Sequence, residues 1–337
     1  MIRFVMALAL LAAAEAVAVP QKMAAPFVFK HAAMGTEFEI VLIDQNRALA
    51  SAMAELAFDE VDRLEELLSN YRETSELSRV NRLAGQGPVT VDPEMFAFLS
   101  AAEHWSRASD GAFDMSVGPL MRVWGFFQHA GRVPSDAEIA KAKRVVGWKL
   151  VKLDVATRTV RFLRDGVELD PGGIGKGFAV DAAVRLLREH GVERALISAG
   201  SSTIYGMGSP PGERGWKVIV RSPVLPKRVI STVYLRDESL SSANCTEKNF
   251  TAAGVMYCHI FDPRTGQPVR GRVHVSVIHP SATASDALSN VLFVQSPDEA
   301  MSTLRRFVPD ARALVLYERN GLKCATFRWS GTIKGCR

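Results

Sequence analysis

The chain has 337 residues, 47% of them hydrophobic, which suffices to bury a large core in one or two domains. Its formal charge of +5 and pI near 9.1 are mild, and no run of arginine and lysine stands out. That balance argues against nucleic acid as a partner and fits an anionic ligand or plain solubility.

The first residues read as an export signal. Arg3 supplies a positive charge, residues 4–14 are an unbroken apolar run, and Ala16-Val17-Ala18 has the form of a cleavage site. The run is too short to cross a bilayer. No cysteine follows it and no twin arginine precedes it, so general secretion is expected, an uncleaved anchor being the alternative. Residues 1–18 are set aside as signal, and residues 19–337 are expected to work in the periplasm with no stable membrane span. Four cysteines in an exported chain favour disulfides over metal thiolates. Of the three possible pairings, spacing favours Cys245 with Cys258 and Cys324 with Cys336.

Strands are expected at residues 27–29 and 38–42, around the turn Met34-Gly35-Thr36. Met53, Leu56, Ala57, Leu64, Leu67 and Leu68 recur at helical spacing and predict a helix over residues 46–69. A polar exit follows, Ser69-Asn70-Tyr71, and then Ser75-Glu76-Leu77-Ser78-Arg79-Val80-Asn81. Asp92-Pro93 is an N-cap followed by proline in the first turn, opening a helix to about residue 105. Residues 111–126 are loop-rich and aromatic. Paired strands are expected at 151–153, 160–162 and 167–169. A glycine-rich segment, residues 170–177, leads into a helix over 178–189, followed by strands at 195–198, 216–220, 233–235 and 255–257. Helices opening near Asp286 and Asp298 precede strands at 313–316 and 325–327. The mixture predicts an α+β class: one two-lobed domain of mixed or antiparallel sheets with flanking helices.

The densest chemistry lies in Cys258-His259-Ile260-Phe261-Asp262-Pro263-Arg264-Thr265-Gly266. A strand ending in a rigid turn can hold a histidine still at the edge of a cleft, with a carboxylate and a guanidinium beside it. The plain alternative is a structural histidine next to a good turn. His31, His104, His129, His190, His274 and His279 have no such company and read as structural. Asp286 and Asn290 are four apart and share one helix face. They suit Mg²⁺ with phosphate oxygens, or they merely begin a helix whose cap is Thr283 or Ser285. The glycine-rich segment lets the backbone approach a ligand at a helix N-terminus, or is simply a tight turn. It is no Walker loop, because Gly177 follows Lys176, and its glycine spacing is not that of a dinucleotide fingerprint. Tyr71 is a candidate aromatic plate for a ring, or ordinary packing.

Taken in order, these motifs resemble the ApbE family of FAD:protein FMN transferases, over about residues 28–320. The resemblance implies an active site between two lobes and a Mg²⁺-dependent reaction. FMN would pass from FAD to a Thr or Ser hydroxyl through a phosphoester, with release of AMP. The expected partner is an acceptor protein of a membrane electron-transfer complex, of the quinone reductase, Rnf or nitrous-oxide-linked type. By motif, Met34, Thr36, Tyr71, Ala112, Phe113, Asp114, Asp170, Lys176 and Ile260 would contact FAD. Asp286, Asn290 and the carbonyl of Gly173 would hold the metal, and His259, with Asp262 and Arg264, would carry catalysis. Two departures stand out: Asn290 replaces the family's threonine, and Ser242-Ala243-Asn244 replaces Thr-Ser-Gly. Two other readings stay open: a non-catalytic FAD-binding protein or chaperone, which the Asn290 departure favours, and a pyrophosphatase giving FMN and AMP, with water in place of the target hydroxyl. Cys245 and Cys258 flank the strand before His259, and a disulfide there would stiffen it.

Overall fold

The computed structural model describes residues 25–334 apart from Gln45, Gln128, His129, Pro226, Glu247 and Asn320. The expected signal, His129 and Cys336 lie outside the described residues.

The chain starts with a hairpin, Ala25–Ala33 and Thr36–Asp44. Its two-residue loop puts Met34 and Gly35 at φ of 50° and 69°, the left-handed pair that a tight hairpin of this twist needs. Helix Arg47–Leu68 begins where the Asn46 side chain accepts from the backbone of Ala48 and Leu49. Ala50, Ala54, Ala57, Val61, Leu64 and Leu68 form its buried stripe, alternating steps of three and four residues. Helix Gly175–Glu189 lies beside it, with Ala179, Ala183 and Leu187 turned inward.

Eight strands form the central sheet, in the order Ala25–Ala33, Thr36–Asp44, Ala195–Ala199, Thr203–Met207, Glu238–Ala243, Arg272–His279, Arg312–Glu318 and Leu322–Phe327. Every pairing in it is antiparallel. Helix Ala282–Val294 packs on its middle strands. Leu240, Ile278, Leu314 and Leu316 bury instead against a small sheet that contains Trp216–Arg221 and Val229–Leu235. One core gathers on the first hairpin and helices Arg47–Leu68 and Gly175–Glu189, and another on Pro93–Ala108 and Ala282–Val294. Leu67 and Phe178 pack against both, at the seam between the two lobes.

Several elements differ from expectation for physical reasons. Residues 167–169 form no strand: the Asn81 side chain bonds both the N–H and the carbonyl of Leu169, in place of a neighbouring strand. The motif at 75–81 is a helix, Glu76–Leu83, capped by Ser75. Asp136–Lys143 is a further helix, closed by a capping box from Ser135 and Glu138. The helix expected to open at Asp286 opens one turn earlier, at Ala282, and Ser281 caps it in place of Thr283 or Ser285. Strands Thr203–Met207, Glu238–Ala243 and Arg272–His279 carry Thr203, Ser239, Ser241, His274 and Ser276 as buried residues, so their polar types hide central strands covered on both faces. Cys245 and Cys258 are bonded as expected, and Cys324 is also disulfide-bonded.

Candidate active site

A cleft of about 560 Å³ opens at the seam. Its wall brings together Met34, Tyr71, Ala112, Phe113, Asp114, Asp170, Gly173, Lys176, His259, Ile260, Asp286 and Asn290. These residues are spread from the first hairpin to helix Ala282–Val294, so the fold assembles what the sequence scatters.

His259 follows strand Val255–Cys258, whose hairpin partner is Asn249–Ala252. The bond between Cys245 and Cys258 closes the base of that hairpin, with Cα atoms 5.1 Å apart. Phe250 stacks on Tyr257, and Tyr257 lies against Trp124, tying the hairpin to the body. The ring Nδ1 of His259 lies 2.8 Å from the carbonyl of Lys248, which also accepts the His259 backbone N–H at 3.2 Å. A carbonyl only accepts, so Nδ1 carries a hydrogen, and in a neutral ring the lone pair would then sit on Nε2. A neutral imidazole held in that tautomer is a general base.

Also on the cleft wall, Asp286 is 2% exposed and its Oδ2 accepts the Gly177 N–H at 2.9 Å. Burial raises its carboxyl above the ordinary range, against an opposing pull from the Lys176 charge. The glycine at 177 is required by this approach: a Cβ would run into the Ala282 carbonyl and lie 2.7 Å from Cβ of Asp286. Asn290 sits one turn on, and its Nδ2 donates to the Gly173 carbonyl at 3.2 Å and to the Asp286 carbonyl at 3.1 Å. A half-turn of that amide would set its oxygen beside the Gly173 carbonyl. Carbonyl, amide oxygen and buried carboxylate are then an all-oxygen set that fits Mg²⁺. The described residues hold no cluster of three or more His, Cys, Asp or Glu with metal-binding geometry. A site with one carboxylate relies on substrate phosphates for its remaining ligands.

Asp170 is 8% exposed and accepts from Asn70 Nδ2 at 2.9 Å and the Gly172 N–H at 2.8 Å. Burial again raises its carboxyl. Asp114 lines the cleft, yet its oxygens are taken by Ser116, Trp148 and Ser106, so it braces the wall from within. Met34 holds a left-handed conformation that costs a non-glycine residue about 1 kcal/mol, and its side chain borders the cleft.

The ApbE family profile matches residues 34–315. The chain belongs to the ApbE family. It is 32% identical over 284 residues to the FAD:protein FMN transferase of Treponema pallidum (strain Nichols), covering 79% of this chain and 77% of that protein. It is 30% identical over 275 residues to that of Klebsiella pneumoniae (strain 342), covering 81% and 84%. The crystal structure of the ApbE protein from Thermotoga maritima matches with a TM-score of 0.82 and 31% identity, over 91% of this chain and 97% of that one.

Three of the expected site residues do not line the cleft of this ApbE chain: Thr36, Asp262 and Arg264. Arg264 grips Asp262 with both arms, Nε to Oδ1 at 2.9 Å and one terminal nitrogen to Oδ2 at 3.0 Å. The pair shapes the turn after His259, and Pro263 between them is what reaches the cleft. Thr36 packs under the turn at Gly200, where a Cβ would strike its hydroxyl. Conversely, Asn70, Lys248, Ser201 and Ser202 line the ApbE cleft and were not singled out in the sequence. Asn70 stood inside a marked motif and its amide type was the available signal; Lys248 and the serines carry none, because only the fold brings them there.

Proposed function

We propose that this chain is an FAD:protein FMN transferase, working on an acceptor protein outside the cytoplasm. Family membership supports the reaction type, and the signal-like residues 1–18 and the bond between Cys245 and Cys258 support the compartment. The observation that carries the mechanism is the 2.8 Å contact between His259 Nδ1 and the Lys248 carbonyl, in a cleft whose wall also holds Asp286.

Transfer forms a bond between an acceptor Thr or Ser hydroxyl oxygen and the FMN-side phosphorus of FAD. It breaks that phosphorus's bond to the bridging oxygen, which leaves with AMP. The hydroxyl proton goes to Nε2 of His259. Lys176 and the N-terminus of helix Gly175–Glu189 lie at the cleft, where positive charge and N–H groups suit the diphosphate. Tyr71, 58% exposed at the cleft wall, offers its face to the flavin ring. Mg²⁺ held by Asp286, Asn290 and the Gly173 carbonyl would offset charge building on the transferred phosphoryl group. The acceptor belongs to the class of membrane electron-transfer flavoproteins.

The test is to mix the chain with FAD, Mg²⁺ and an acceptor domain bearing a threonine, and to look for flavin fluorescence on the denatured acceptor. A Mg²⁺-dependent fluorescent band supports the transferase. FAD bound without any band, across several acceptors, overturns it in favour of a binding protein. The amide nitrogen of Asn290 turned to the Gly173 carbonyl is the observation that favours that second reading. Release of FMN and AMP with no band would instead indicate hydrolysis.

A further inference from the structure

Asp181 lies outside the cleft wall, on helix Gly175–Glu189. Its carboxylate accepts four hydrogen bonds from three consecutive residues of another helix. Oδ1 accepts the Ala282 N–H at 2.7 Å. Oδ2 accepts Ser281 Oγ at 2.7 Å, the Thr283 N–H at 2.9 Å and Thr283 Oγ1 at 2.7 Å. These donors form the first turn of helix Ala282–Val294, where a negative charge also meets the positive end of the helix dipole. Asp286 stands one turn further along that helix, and Asn290 one turn beyond.

Gly177 is four residues before Asp181, so both occupy one face of their helix. Gly177 donates its N–H to Oδ2 of Asp286. The first helix therefore grips the second at two points one turn apart, at its N-terminal turn and at the buried carboxylate. A single grip would leave the second helix free to slide or roll about the contact. Two fix both its height and its rotation, and so the direction in which Asp286 and Asn290 face the cleft.

We infer that Asp181 is a positioning residue that sets the metal-binding geometry of Asp286 and Asn290 through the N-terminus of helix Ala282–Val294. The inference rests on the proposed metal role of Asp286. Asp181→Asn keeps the size of the side chain but turns an N–H₂ group toward donors that need an acceptor.

The experiment titrates Mn²⁺ into the purified, FAD-loaded chain, reading free Mn²⁺ by electron paramagnetic resonance. Metal-free FAD affinity is measured in parallel by flavin fluorescence. Asp181→Asn is expected to raise the Mn²⁺ dissociation constant about 10- to 100-fold, as loss of an outer partner does at metal sites, with FAD affinity held within about twofold. A conservative pair guards against a misfolded variant: Thr283→Val is expected to weaken Mn²⁺ binding, and Thr283→Ser to restore it by returning the hydroxyl. Unchanged Mn²⁺ affinity in Asp181→Asn, or metal and FAD affinity falling together, overturns the inference. Asp286→Ala run beside them separates the two levels: if it binds Mn²⁺ as the parent does, the metal role of Asp286 is wrong and the clamp has no metal site to serve.

Discussion

The Lys248 carbonyl accepts two hydrogens from His259, one from the backbone and one from the ring. That pairing directs Nε2, and not Nδ1, to the chemistry. A base acts on a step and leaves the pocket intact, so His259→Ala is expected to lower the transfer rate about 10²- to 10⁴-fold. FAD binding by fluorescence should stay near the parent value; its loss would instead make His259 a binding residue. Asp286 poses the opposite problem. Burial raises its carboxyl, which means the fold disfavours the charged form, and its stabilising share is lost as pH rises through the raised value. A neutral amide avoids that cost while still accepting from Gly177. Asp286→Asn is therefore expected to melt higher than the parent at pH 7 without metal, and to show no further rise on adding Mg²⁺. A metal-dependent rise equal to the parent's would remove Asp286 from the metal site.

Among elements, the hairpin Asn249–Ala252 and Val255–Cys258 is a two-stranded sheet with no third strand beside it. Two strands alone are marginal in water. The disulfide at its base and the Phe250, Tyr257 and Trp124 rings supply what a wider sheet would have supplied. Closing a loop of this length stabilises by about 3 kcal/mol. Replacing both Cys245 and Cys258 by serine should lower the melting temperature and cut the transfer rate more than FAD affinity, since Lys248 and His259 ride on the hairpin while most of the flavin wall does not. An unchanged rate would mean the aromatic anchoring suffices. This pair was readable from spacing, as were helix Arg47–Leu68 from its apolar steps and Pro93–Ala108 from its cap. Residues 167–169 misled, because an apolar alternation does not say whether its partner is a strand or the side chain of Asn81. Likewise Asp262 and Arg264 had catalytic residue types, but at this spacing they satisfy each other first.

Over the whole molecule, the α+β class and two lobes were legible, whereas the middle of the sheet was not. Its strands are covered by helix Ala282–Val294 on one face and a small sheet on the other, so polar residues at either face become buried. His274 is one of them. It is 4% exposed, its Nε2 pairs with Ser276 Oγ at 2.7 Å, and its Nδ1 has no hydrogen-bond partner among the described residues. Burial lowers its pKa from 6.5 to about 4. Between those values the unfolded chain binds a proton at this ring and the native chain does not, so stability falls as pH drops through that window and levels off below it. The slope approaches about 1.4 kcal/mol per pH unit and the whole loss is about 3 kcal/mol. Asp114, Asp170 and Asp286 work against it below their own raised values, since burial lets them take up protons in the native state before the unfolded one. The clean measurement is thus a difference: denaturant unfolding of the parent and of His274→Gln at pH 7, 6, 5 and 4. The variant, having no imidazole to charge, should lose less stability over that range, and the gap between the two curves should widen by about 3 kcal/mol. Parallel curves would mean that the ring is protonated in the native state and that water reaches it within the sheet.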